Sequence, residues 1–298
     1  MNNLRGILLM VAAKAGFAVE DALIKAASAT VPVGQILLFL GIGGTLAFGT
    51  LARLQGARLL TRAVLLRPVL LRNASEMLGT MCFVSAIALA PLSTVSAILQ
   101  ATPLAVTLGA ALFLGAEVGW RRWTAILVGF AGVLIIVRPG SAGVDLGSIL
   151  AVIGVFLLAA RDLSTRAVPA HVPSLVIATY GFASVIPAGA LLLAFSGGAL
   201  VPEPRAMLFI AGALTIGTFA YYGIIAALRM GEIAVVTPFR YSRLLFAVAI
   251  GVVFFGERPD APTFLGAALV IGSGLYTLLR EARLARAQRT LSPQAPGR

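Results

Sequence analysis

The chain has 298 residues, of which 59% are hydrophobic and 11% charged, with a mean hydropathy of +1.00. Water-soluble globular chains carry roughly a quarter charged residues, so this composition excludes a soluble domain, a disordered chain and a nucleic-acid binder, and points to lipid as the main solvent. The net charge of +12 does not restore a nucleic-acid partner, because no loop is long enough to form a basic domain.

A single cysteine, Cys82, excludes an internal disulfide framework, and with the single His171 it leaves no cysteine/histidine zinc cluster. No cofactor or metal site is expected.

A helix crossing the hydrocarbon needs about 20 apolar residues. Ten such runs are predicted, near 6–28, 33–54, 69–90, 92–115, 122–138, 146–166, 173–196, 206–229, 232–256 and 262–280. Their continuity argues against a barrel, whose strands alternate over about ten residues. The first run follows Arg5 in the manner of a signal peptide, but Lys14, Glu20, Asp21 and Lys25 interrupt it, and it reads as a retained helix.

Arginine placement orients the spans. One side collects Arg5, Arg53, Arg58, Arg62, Arg67, Arg121, Arg122, Arg161, Arg166, Arg229, Arg280, Arg283, Arg286, Arg289 and Arg298. The other holds Arg138, Arg205 and Arg258. Both termini are therefore expected in the cytoplasm of a bacterial-type inner membrane.

Taken in chain order, several charges have no topological explanation, and an ionisable group inside a span is a functional candidate. In the first helix Lys14, Asp21 and Lys25 share a face, Asp21 and Lys25 are spaced to pair, and Glu20 points elsewhere. The third helix carries Arg72 and Glu76, again four apart. In the fourth, Gln100 and Thr102 flank Pro103 and are suited to a ligand or to interhelical bonds. Arg161, Asp162 and Arg166 close the sixth and read as orientation plus local pairing. Tyr221 and Tyr222 of the eighth helix and Tyr241 of the ninth, with Phe219 and Phe239, are candidate cavity walls. Arg240 and Arg243 fall near the middle of the ninth and need anions, from the acids of helices one and three or from a substrate carboxylate. Glu20, Asp21 and Glu76 are the candidate proton-coupling groups, because burial favours the neutral carboxyl. The substrate-binding set is thus Lys14, Glu20, Asp21, Glu76, Gln100, Tyr221, Tyr222, Arg240, Tyr241 and Arg243.

The halves repeat. Residues 87–134 and 226–274 both place an Ala-Leu helix end, a small-residue helix with an internal proline, a Gly-Glu closing at Glu117 or Glu257, and then a Gly/Ala-rich helix. Five helices per half invert the second copy relative to the first. The expected fold is an all-α integral membrane protein of ten transmembrane helices in two inverted five-helix repeats, 1–140 and 141–281, with a basic tail over 282–298. Inverted repeats are typical of secondary transporters, with the site at midplane between them. An enzyme is not expected: no HExxH, Ser-Lys dyad or nucleotide-binding loop is present, and the absence of a Walker A sequence excludes self-driven ATP use. Midplane charges between inverted halves also argue against a channel.

GFAVEDALIK in helix one, LSTVSAILQATPL leading to LFLGAE, RRWTAILVGFAGVLIIVRPG, and VVFFGERP followed by APTFLGAALVIGSG carry a resemblance. Over residues 4–280 the chain resembles an EamA-type permease of the drug/metabolite transporter superfamily. The resemblance implies an inner-membrane secondary carrier with a central cavity bounded by helices one, three, four, six, eight and nine. It implies export of small metabolites such as amino acids, with aromatic amino-acid exporters nearest. Uptake of riboflavin or S-adenosylmethionine, or export of a metallophore or drug, are its alternatives, and a membrane transferase is the remote one. Many members have Trp-Gly where this chain has Ala15-Gly16. The partners expected are a small-molecule substrate, the bilayer and protons as a coupling ion, with no nucleic acid.

Overall fold

A computed structural model describes residues 3–116, 119–139 and 145–291. The first repeat comprises α1 (Asn3–Ala27), α2 (Val33–Leu54), α3 (Arg67–Leu89), α4 (Leu92–Leu99), α5 (Thr102–Phe113) and α6 (Trp120–Val137). The second comprises α7 (Leu146–Arg166), α8 (Ser174–Phe195), α9 (Pro204–Met230), α10 (Ile233–Val236), α11 (Ser242–Phe255) and α12 (Ala261–Leu291), with a 3-10 turn over Thr237–Tyr241 between α10 and α11. Glu117, expected to close a helix, lies outside the described residues, as do residues 292–298 of the basic tail.

Two spans expected to be continuous are broken. The fourth divides into α4 and α5 around Gln100–Ala101, and the ninth divides around the 3-10 turn. Each break sits at a proline, Pro103 or Pro238, which has no N–H to donate. The carbonyl that Pro103 cannot serve belongs to Leu99, and the Thr102 hydroxyl donates to it at 2.7 Å. Pro187, by contrast, sits inside an unbroken α8.

Packing follows an inverted two-fold. α1 packs on α9 as α3 packs on α7, and α1 packs on α11 as α7 packs on α4 and α5. The contacts α2 with α8, α6 with α12 and α4 with α11 join equivalent spans of the two halves. Two of these crossings require glycine. A Cβ on Gly132 would stand 2.6 Å from the Gly266 carbonyl oxygen, and one on Gly266 2.5 Å from that of Gly132. Gly34 and Gly189 exclude each other's Cβ in the same way, at 2.7 Å. Backbones this close give the dense packing that holds membrane helices together. Gly272 of the same helix as Gly266 faces open space and makes no such approach.

The core lies at the centre of the bundle, where Ala18, Ile98, Ala101, Ala213 and Ala247 are buried. Leu8, Leu46, Leu127 and Phe254 are exposed on its outside, as a lipid-facing wall requires. Among the described residues, eight helical segments are long and apolar enough to cross a membrane. The other two helices of spanning length are α1, which carries Lys14, Glu20, Asp21 and Lys25, and α3, which carries Arg72 and Glu76.

Candidate functional site

α1 runs through the middle of the molecule, against α9 and α11 of the opposite repeat and against α3 and α4 of its own. A cavity of about 520 Å³ opens beside it. Its lining reaches exposed Thr165 and Ser174 at the end of the bundle that holds Arg53 and Arg67. At the other end the lining stops at the buried side chains of Ile24, Leu40, Val84 and Val185. The cavity is therefore open towards the arginine-rich end and closed towards the other.

Nine charged residues line it: the cations Lys14, Arg72, Arg161, Arg240 and Arg243, and the carboxylates Glu20, Asp21, Glu76 and Asp162. They sort into three groups. In the first, Arg243 donates to Asp21 from Nη2 at 2.5 Å and from Nε at 3.1 Å. Its guanidinium also lies over the rings of Phe17 and Phe83, at 5.3 and 5.5 Å. This pair ties α1 to α11 across the repeats.

The second group is a chain of four. Glu76 meets Arg72 at 2.9 Å and Arg161 at 3.2 Å, and accepts from the Thr80 hydroxyl at 3.2 Å. Arg161 also holds Asp162 at 2.8 Å, and Arg72 donates to the Ile177 carbonyl at 3.1 Å. The chain joins α3 to α7 and α8 nearer the mouth. Two arginines against two carboxylates leave it electrically neutral.

The third group has no partner. Among the described residues Lys14, Glu20 and Arg240 make no hydrogen bond or ion pair. Lys14 lies beside the Phe17 ring, 5.2 Å from its centroid. Glu20 sits against α9 where Gly217 leaves room for its carboxylate.

The expected site residues separate accordingly. Lys14, Glu20, Asp21, Glu76, Gln100, Tyr221, Arg240 and Arg243 all reach the cavity. Gln100 also donates from Nε2 to the Tyr241 carbonyl at 2.9 Å, which bridges the two broken spans. Tyr222 does not reach it: the side chain is 55% exposed on the outside of the bundle, because its neighbour Tyr221 takes the inward direction. Tyr241 is buried where the 3-10 turn meets α12, its hydroxyl against Gly274, and is not part of the wall. Phe219 is likewise exposed. Aromatic walls come instead from Phe17, Phe83 and Phe182, which the sequence reading did not single out.

Lys25 does not pair with Asp21. Its ammonium reaches the closed end, donates to the carbonyls of Ile87 at 3.1 Å and Ala90 at 2.5 Å, and lies 3.9 Å from Glu257. Glu257 has the structural role expected of it: it accepts from the backbone N–H of Leu92 at 2.5 Å and Ser93 at 2.9 Å and so caps α4. Arg161 and Asp162, read as orientation plus local pairing, do pair with each other and in addition belong to the cavity wall.

A charged cavity where two inverted repeats meet, inside a bundle of membrane-crossing helices, is the architecture of a multi-pass membrane transporter. The chain belongs to the EamA-like transporter family, which matches it twice, over residues 4–138 and 145–279. A riboflavin transporter of Rhizobium johnstonii is 32% identical over 218 residues, 73% of this chain and 72% of its own. The pseudopaline exporter CntI of Pseudomonas aeruginosa is 30% identical over 270 residues, 89% of this chain and 93% of its own. An S-adenosylmethionine uptake transporter of Rickettsia bellii is 24% identical over 216 residues, 72% and 73% of the two chains. A solved crystal structure shares the fold, with a TM-score of 0.63 over 94% of this chain and 98% of its own at 18% identity.

Proposed function

We propose that this transporter is a secondary or facilitative carrier that moves a charged organic metabolite, such as an amino acid, out of a bacterial cytoplasm by alternating access. The observation that carries this reading is the unpartnered set Lys14, Glu20 and Arg240 on the wall of a cavity between the repeats. Unmet charge in a poorly hydrated site is costly, and a substrate of complementary charge offsets that cost only while bound. Lys14, Glu20, Gln100, Tyr221 and Arg240 then contact substrate, while Asp21–Arg243 and the Glu76 chain hold the helices that present them. Glu20 is the carboxylate left for a coupling proton.

The mouth of the cavity is where substrate loads for export. It lies at the arginine-rich end, and the positive-inside tendency assigns that end, with both termini, to the cytoplasm of the inner membrane. Repeats 1–140 and 141–281 rock against each other, and the tail from 282 lies at the cytoplasmic surface. A second reading, uptake of a vitamin or cofactor, draws on relatives named for riboflavin and S-adenosylmethionine and on a wall that includes Phe17, Phe83 and Phe182.

Counterflow in proteoliposomes against amino acids, riboflavin and nucleosides tests the reading. Accelerated exchange of one class, abolished by Arg240→Glu, is expected. Exchange no faster than in protein-free vesicles for every class overturns it.

A further inference from the structure

The three unpartnered charges differ in sign, and their balance restricts what can fill the cavity. Lys14 and Arg240 are cations, and Glu20 is the anion. Lys14 is only 9% exposed and lies within electrostatic reach of Arg240, Arg243 and Arg161, and of one carboxylate, Asp21. Asp21 already answers Arg243, and Glu76 with Asp162 already answers Arg161. Of the four carboxylates that line the cavity, only Glu20 is not already paired with an arginine. Glu20 stands elsewhere: it is six residues from Lys14, about 9 Å along the helix axis, and its carboxylate is turned to Gly217 of α9. Its charged neighbours are Asp21 and Arg243, which satisfy each other.

A plain α-amino acid brings one carboxylate and one ammonium, close together. It would meet Glu20 and one cation, or neither well, and would leave the other cation bare. Two negative charges at one pole and an ammonium at the other meet all three groups. A volume of about 520 Å³ is ample for an organic body between the poles, against the rings of Phe17, Phe83 and Phe182.

We infer that the substrate is an ammonium-bearing organic acid with a doubly negative pole, held with that pole on Lys14 and Arg240 and its ammonium on Glu20. This rests on the carrier reading and narrows it. A pair of carboxylates and a phosphate monoester share the required chemistry.

Counterflow with four defined probes tests the inference. Phenylalanyl-glutamate carries two carboxylates and a distant ammonium. Aminohexyl phosphate carries a phosphate and a distant ammonium. Phenylalanyl-glutamine removes one carboxylate, and N-acetyl-phenylalanyl-glutamate removes the ammonium. One or both of the first two are expected to exchange at least tenfold faster than the last two, and the faster of them assigns the pole to carboxylates or phosphate. Lys14→Met should bring phenylalanyl-glutamate down to the rate of phenylalanyl-glutamine. Arg240→Gln should do the same, and provides the measurement if the Lys14 variant does not fold. Equal or faster exchange of phenylalanyl-glutamine or of the acetylated peptide overturns the inference and leaves the carrier reading standing. Absence of exchange for all four, together with amino acids, riboflavin and nucleosides, overturns both.

Discussion

Arg243 of α11 closes on Asp21 of α1 through two hydrogen bonds, at 2.5 and 3.1 Å, and in doing so fastens the first helix of one repeat to the ninth span of the other. Asp21 is buried and the pair lies on the cavity wall. Breaking a buried pair by removing one partner costs about 3–5 kcal/mol, since the other charge is stranded. Asp21→Asn and Arg243→Gln are each expected to lower the thermal stability of the purified protein, and the double variant to recover part of the loss. A double-mutant cycle on melting in detergent measures this. Additive losses would show that the two side chains do not act as a pair.

Glu20 is the one cavity carboxylate without a cation of its own. Asp21 and Glu76 were equal candidates for proton coupling on sequence grounds, but each is held by arginine, at 2.5 Å for Arg243 and at 2.9 and 3.2 Å for Arg72 and Arg161. A carboxylate so held is committed to its arginine, whereas Glu20 has no such tie. Glu20→Gln is therefore expected to slow exchange, because Glu20 also contacts substrate, and to flatten the pH dependence of the exchange that remains. Glu76→Gln should reduce the amount of folded protein and leave the shape of the pH profile intact. The profile of initial exchange rate against pH for both variants decides between them.

The spans and the repeat were legible because apolar run length and arginine placement are local properties of a chain. The internal proline of each repeated helix, Pro103 and Pro238, stands at the break in its span. The partners of the buried charges were not legible. Asp21 and Lys25 have ideal local spacing, yet Asp21 takes a partner 222 residues away, because the half-buried Arg243 stands beside it while Lys25 can reach carbonyls at the helix ends. Arg161 was read as an orientation charge because it lies one turn from the end of α7, and nothing near it in sequence reveals Glu76. Tyr221 and Tyr222 are about 100° apart on one helix, so only the rotation of α9 decides which lines the cavity.

At the closed end, Lys25 and Glu257 hold four chain segments together. Lys25 grips the end of α3 through Ile87 and Ala90, and Glu257 caps α4 from the loop that follows α11. The Ser93 hydroxyl adds a third bond to the same carboxylate, at 2.7 Å. Opening at this end has to part the segment bearing Glu257 from α4. Glu257→Ala is expected to cost about 1 kcal/mol as a lost helix cap and to favour opening there. In a Cys82→Ser background, Val84→Cys should then react several-fold faster with a membrane-impermeant thiol reagent applied from the closed side. Unchanged labelling would show that the closed end is sealed by its apolar side chains alone.

Asp260 opens α12 and also receives Arg138 from the end of α6. The Thr263 N–H and hydroxyl donate to its Oδ1 at 3.1 and 2.7 Å, and Arg138 donates to Oδ2. Arg138 first, and then Thr263, hold this exposed carboxyl well below the usual carboxylate range. A carboxyl depressed in the folded state contributes stability above its unfolded pKa of about 3.9 and loses that contribution as pH falls towards the folded value. Asp260→Ala is accordingly expected to cost about 1 kcal/mol at neutral pH, mostly as a lost cap, since an exposed ion pair adds little. The difference between the variant and the natural chain should hold from pH 7 to about 5 and narrow below about 4. Melting temperatures of both proteins across that range measure it. A difference that widens on acidification would mean that the carboxylate is not what secures the start of α12.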